Sequence, residues 1–181
     1  MHVQGVRFPV KGRKSVSEKE TKVVVVPKEN AVFRLDARGR WHNKHGVFEH
    51  KKIIGYFHSS IRKDADGYHL FQKHGDHSIE KVYFKYEDTA LFVFDINTPK
   101  DSDRIRLILN TKEEIPLNPN ALFIQNENLY LEHDGHRIKF IDRAILKLAH
   151  RLNFDQQQYR LELSGKIYDI PIRCAGNRNQ K

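Results

Sequence analysis

The chain has 181 residues, 39% of them hydrophobic, and 32 Lys and Arg against 23 Asp and Glu leave a formal charge of 32 − 23 = +9. That length buries roughly two-thirds of the unfolded surface in an ordinary core. The lone cysteine, Cys174, excludes an intramolecular disulfide and points to a reducing compartment, the cytoplasm. The longest uninterrupted runs of larger aliphatic or aromatic residues, Val23 to Val26 and Leu91 to Phe94, are too short for a spanning helix, and the N-terminus lacks an apolar signal core, so neither membrane insertion nor secretion is expected.

In chain order, residues 1–22 are polar, basic and without periodicity, and are expected to form a flexible basic arm. Val23 to Val26 is a short predicted strand stopped by Pro27, and Ala31 to Leu35 is a second, entering a turn at Asp36 to Gly39. Between Glu49 and Arg62, the residues Ile53, Ile54, Phe57 and Ile61 fall at i, i+1, i+4 and i+8, one face of an amphipathic helix. Asp64-Ala65-Asp66-Gly67 ends it, since Gly67 adopts positive φ without a steric cost. A strand, Tyr68 to Phe71, and a loop, Gln72 to Ser78, follow. Ile79 to Tyr86 alternates Val82, Phe84 and Tyr86 with Lys81 and Lys85, the pattern of a half-buried strand. Leu91 to Ile96 reads as a strand buried on both faces.

Asn97 to Asp103 is the best candidate boundary. Beyond it, strands are expected at Ile105 to Leu109, Leu122 to Gln125, Leu129 to Leu131 and Arg137 to Phe140. Asp142 is placed to cap a helix carrying Ala144, Ile145, Leu148 and Leu152, and Tyr159 to Leu163 pairs with Ile167 to Ile172 as a hairpin across Ser164-Gly165. A shift of 91 residues superposes Ile53, Ile54, Phe57, Ile61, Tyr68 and Leu70 on Ala144, Ile145, Leu148, Leu152, Tyr159 and Leu161. The fold class expected is therefore α+β, with two divergent repeats of a β-rich unit, residues 23–97 and 98–181, each a small antiparallel sheet with one amphipathic helix. Ile53, Ile54, Phe57, Ile61, Ile145, Leu148 and Leu152 are the expected core.

Catalytic signatures are lacking. No serine lies in a Gly-x-Ser-x-Gly turn, and the glycines are isolated rather than gathered into a phosphate cradle. Glu87-Asp88 and Glu113-Glu114 are adjacent pairs, which point to opposite faces of a strand. Cys174 has Arg173 beside it but no neighbouring base. Seven of the eleven histidines form two groups, His42, His45, His50 and His58, then His69, His74 and His77. Were the two loops to meet, His45, His74, His77 and Asp76 would surround a divalent ion, although no recognised ligand spacing is present; solvated loop histidines are the simpler reading, and no metal or cofactor is assigned. Trp41, between Arg40 and His42, is either a core side chain or an anchor in a ligand pocket or partner surface.

From Trp41-His42-Asn43 through Gly46, Ile54 and Phe57 to Asp66-Gly67-Tyr68-His69-Leu70 and the run Glu80 to Asp88, the chain resembles the bacterial domain-of-unknown-function 1285 family. The resemblance covers about residues 33–170 and fades in the second half to Leu107, Leu109, Thr111 and the region of Arg143. Two departures stand out, Ala90 where relatives have proline and the loop His74-Gly75-Asp76-His77 before Glu80. The resemblance implies a small α+β protein of repeated motifs, with no established enzymatic activity and a suggested role in signal transduction.

The function expected is a non-catalytic binding or regulatory module for an unknown protein or small-molecule ligand, with Trp41, His42, His45, His74, His77 and Arg143 as candidate binding residues. Two alternatives remain open. One is a nucleic-acid-binding accessory protein using the arm with Arg104, Arg106, Arg137, Lys139 and Arg143. The other is a metal-dependent hydrolase built on the histidine loops.

Overall fold

The computed structural model describes residues 22–74, 78–98, 104–155 and 157–174, with backbone alone at His74. The expected N-terminal arm lies outside the described residues except for Lys22, which opens the first strand rather than closing an arm.

Strand dominates the described residues. The first stretch runs β1 (Lys22–Val26), β2 (Phe33–Leu35), β3 (Trp41–Asn43), β4 (Gly46–Val47), α1 (Lys51–Ser59), β5 (Ile61–Asp64), β6 (Gly67–His74), β7 (Ser78–Tyr83) and β8 (Lys85–Tyr86). Then come β9 (Leu91–Asn97), β10 (Arg106–Leu109), β11 (Glu114–Pro116), β12 (Leu122–Gln125), β13 (Asn128–His133) and β14 (His136–Phe140). The chain closes with α2 (Asp142–Leu148), β15 (Leu152–Asp155), β16 (Gln158–Leu163) and β17 (Lys166–Ile170). The starts of α1 and α2, of β5 and β15, and of β6 and β16 are each 91 residues apart (142 − 51, 152 − 61, 158 − 67).

Among the described residues four sheets form, ordered β1-β7-β6-β5, β4-β3-β2-β8, β11-β10-β9-β14-β13-β12 and β15-β16-β17. The expectation of small, purely antiparallel sheets is corrected. β1 with β7, β2 with β8, and β9 with β14 pair in parallel, and β9 belongs to the six-stranded sheet with β10 and β14. The reason lies in its sequence. Leu91, Phe92 and Val93 are consecutive and buried, so both faces of the strand need cover and both edges need partners. One apolar cluster unites all four sheets, including Leu35, Leu70, Phe92, Leu131 and Leu161. Past β17, Ile124 donates its amide to Pro171 and accepts from Arg173 (2.9 and 2.8 Å), which covers the open edge of β12.

Both helices are shorter than their periodicity indicates. α1 stops at Ser59, and Ile61, expected as its last apolar position, is instead the first residue of β5, paired with Leu70 and buried. Ile53 is corrected as a core residue, being 46% exposed; Ile54 and Phe57 are half-buried, and the fully buried residue of α1 is His58. The His50 Nδ1 caps the helix by accepting from the Ile53 amide. In α2, Ala144 and Leu148 are buried and Ile145 half-buried, while Leu152 opens β15, also half-buried. Asp142 is not the cap; Ile141 holds that position, and Asp142 puts its negative charge in the first turn. The loop expected from Gln72 begins later, since β6 continues to His74. The hairpin across Ser164-Gly165 forms as expected.

Candidate functional site

The sheet β4-β3-β2-β8 has one face in the core and one outside, and this division positions the candidate residues. Alternation along β2 buries Leu35 and half-buries Phe33 while turning Arg34 outward. Register then carries the outward row across every strand, Val47 beside His42, His42 beside Arg34, and Arg34 beside Lys85.

Trp41 is on the other face. It is 1% exposed, with its ring 5.6, 5.4 and 4.9 Å from those of Phe33, Phe57 and Phe84 in edge-on geometry. The structure therefore makes Trp41 a core residue and removes it from any surface site. Its indole N–H is buried with no hydrogen-bond partner among the described residues.

His42 is on the outward face with most of its side chain covered, and its Nε2 lies 2.9 Å from Asp36 Oδ2. Asp36 organises the β2–β3 turn. Burial alone would raise its pKa, but the Arg40 amide, His42, the Arg38 amide and the Arg40 guanidinium together hold it down at about 2. His45 is exposed at the β3–β4 turn, where its amide donates to Asn43 Oδ1 at 2.8 Å. A shallow groove of about 710 Å³ follows this face, lined by Ala31, Val32, Phe33, Arg34, His42, Asn43, Lys44, His45 and Lys85. Among the described residues it contains three formal cations and no carboxylate, although Arg34 also pairs with Glu87 at its border. Val32 and Val47 flank it, 78% and 45% exposed.

The remaining candidates do not join them. His74 ends β6 in a different sheet, and Asp76 and His77 lie outside the described residues. Among the described residues no three of His, Cys, Asp and Glu converge as a metal site needs. Arg143 is on α2, paired with Asp95 at 2.8 Å. Three more basic residues of the nucleic-acid reading are likewise met by acids. Arg137 and Lys139 both reach Asp88, and Arg106 lies 3.7 Å from Glu114.

Arg34, Lys85 and Asp36 were missed as members of this face. The signal was present for two of them: Arg34 alternates with Phe33 and Leu35, and Lys85 with Phe84 and Tyr86. What the alternation lacked was the parallel register of β2 with β8, 51 residues downstream (85 − 34).

A second polar feature is sealed in the core. Asn110 accepts from the Phe92 amide and donates to the Ala90 carbonyl and to His58 Nδ1, each at 3.0 Å. Burial presses the His58 pKa down to about 4 against the raising effect of a backbone hydrogen bond to Gly39, so the imidazole is neutral and its Nδ1 is an acceptor. These groups tie α1 and the β2–β3 turn to the six-stranded sheet.

No protein-family model matches the chain, and no curated protein matches it in sequence. Among solved structures, a DUF1285 family protein from Silicibacter pomeroyi DSS-3 is similar with a TM-score of 0.56 at 13% identity, over 90% of this chain and 89% of that one. A DUF1285 family protein from Shewanella baltica OS155 has a TM-score of 0.47 at 16% identity, over 67% of this chain and 93% of its own. The chain thus shares the fold of the Silicibacter pomeroyi DUF1285 family protein, in keeping with the resemblance carried by the Asp66-Gly67-Tyr68 turn and the strand from Glu80-Lys81-Val82 to Glu87-Asp88.

Proposed function

We propose that this protein is a non-catalytic binding module in signal regulation, with the outward face of β4-β3-β2-β8 as its surface for an acidic partner segment. One observation carries the reading: His42, Arg34 and Lys85 stand side by side on three neighbouring strands, above a groove that no carboxylate of the described residues lines. Opposite charge on a partner gives such a row both steering and register, and the exposed Val32 and Val47 beside it add apolar contact. The cytoplasm, inferred from the single cysteine, is the compartment of this reading. So is an origin of residues 23–97 and 98–181 as two divergent copies of one unit, which the constant 91-residue offset of helix and strands supports.

Cross-linking mass spectrometry in cell lysate tests the surface, comparing the wild-type chain with the double variant Arg34→Glu, Lys85→Glu. The expected result is a reproducible partner, cross-linked through this face and at least about tenfold depleted with the variant. Equal capture by both chains, or none by either, overturns it.

A further inference from the structure

Away from that face, β5, β6, β9, β14 and the β10–β11 turn enclose a cleft of about 510 Å³. No residue lining it also lines the groove of His42 and Arg34. Its floor is apolar, formed by Ile61 and Leu91, 3% and 8% exposed, with Tyr68 beside them. Its walls are polar and come from distant parts of the chain. Arg62 and Lys63 come from β5, Thr111, Lys112 and Glu113 from the β10–β11 turn, and His136 from the start of β14.

The state of each wall group narrows the ligand. Tyr68 Oη is 2.6 Å from His136 Nδ1. Burial raises the phenol to about 12, and burial together with the nearby Lys63 lowers the imidazole, so the neutral phenol donates to the neutral ring and the pair closes on itself. Lys63 lies over the Tyr68 ring, 5.4 Å from its centre, and donates to the Gly135 carbonyl at 3.3 Å. Arg62 donates to the carbonyls of Ser59 and Ile61, which turns the guanidinium along the cleft wall. Thr111 Oγ1 is buried and has no hydrogen-bond partner among the described residues. A buried hydroxyl without a partner costs free energy until something satisfies it. Lys112 beside it is held at φ 71°, a conformation that L-residues other than Asn and Asp rarely adopt, so the turn presents its side chain at a local cost.

The charges have a definite sum. Arg62, Lys63 and Lys112 less Glu113 give 3 − 1 = +2 along the walls of one small cleft. A phosphomonoester carries about −1.5 to −2 at neutral pH and offers three acceptor oxygens, whereas a monocarboxylate carries only one charge and two oxygens. The apolar floor asks for a body attached to that head. We infer that this cleft binds a small phosphomonoester of an apolar or aromatic alcohol, its phosphate held by Arg62, Lys63, Lys112 and the Thr111 hydroxyl and its body lying on Ile61 and Leu91. The two sheets that meet here supply different parts of the grip, so occupancy also ties the β10–β11 turn to β5.

The test is a titration of the full isotope-labelled chain with phenyl phosphate, inorganic phosphate and benzoate, followed by amide chemical shifts and calorimetry. Phenyl phosphate is expected to saturate with shifts centred on Arg62, Lys63, Thr111, Lys112 and His136, and to bind at least about tenfold more tightly than either other probe. Arg62→Ala and Lys112→Ala each weaken it by about tenfold, with unchanged melting temperatures because both cations are exposed, and Thr111→Val weakens it by a few-fold while the melting temperature holds or rises, since Val removes a buried hydroxyl without a partner among the described residues. Absence of saturation up to about 10 mM overturns the inference, as that marks a free energy below about 3 kcal/mol. So do shifts centred on Arg34, His42 and Lys85, benzoate binding as tight as phenyl phosphate, or variants that bind as the wild type does.

Discussion

The helices α1 and α2 start 91 residues apart and both meet β9, but by opposite means. Against Phe94, α1 inserts His58, whose ring is 5.0 Å from that of Phe94 and bonded to Asn110. Packed on β9, α2 buries Ala144 and Leu148 and pairs Asp95 with Arg143 and Lys147. The residue 91 positions beyond His58 is Ala149, so the buried polar link is made by α1 and not by α2. The contrast separates two ways of fixing a helix. A buried network with every partner met is directional and expensive to break, whereas a small apolar face with surface ion pairs is tolerant, because water stands ready to replace each pair.

The largest effect should come from the aromatic packing beside α1. Trp41→Ala opens a cavity among Phe33, Phe57 and Phe84 and is expected to cost about 3–5 kcal/mol in denaturant unfolding. Asn110→Ala leaves the Phe92 amide, the Ala90 carbonyl and His58 unpaired at once, and about 3 kcal/mol is expected in the same experiment. A loss below about 1 kcal/mol would mean that the network does not hold α1 and that the two helices are fixed alike.

Acid sharpens the comparison from the same residue. The unfolded imidazole titrates at 6.5 and the buried one at about 4, so between these values the unfolded chain binds more protons and stability falls as pH drops. Stability from this group is fully present above 6.5, and up to about 3 kcal/mol of it is lost by pH 4. His136, also lowered by burial, acts in the same direction. Unfolding measured from pH 7 to 4 should show the slope in the wild type and a reduced slope in His58→Gln; an unchanged slope would place its origin elsewhere.

Gly39 is where the β2–β3 turn meets the sheet. It sits at φ 75°, and a Cβ there would come within 3.1 Å of the Phe92 ring, so Gly39→Ala is expected to cost about 1–2 kcal/mol by thermal unfolding. The smallest effect should lie with α2. Arg143→Ala removes an exposed partner of Asp95 while Lys147 keeps its own contact, and a change within about 0.5 kcal/mol is expected. A larger loss would show that ion pairing fixes α2 as firmly as the buried network fixes α1.

Local patterns in the sequence determined much of this molecule. Alternation marked a single strand from Ile79 to Tyr86, which the structure divides at Phe84 between β7 and β8 in two sheets, while a two-residue turn marked the β16–β17 hairpin and apolar spacing located both helices. These features depend on residues a few positions apart, which is the range over which helix and strand periods express themselves. The ends of the helices were less legible, since Ile61 suits a helical stripe and a buried strand equally well. Tertiary structure alone decided the rest. The parallel pairing of β2 with β8 and of β9 with β14 joins residues far apart in the chain, and no local period records such a choice. The same distance hid both surfaces, because Arg34 and Lys85, or Arg62 and Lys112, become neighbours only when separate strands are laid together. His58 shows the limit most plainly. Periodicity discards a polar residue from a buried face, yet Asn110, 52 residues away, gives it a partner and so makes its burial possible.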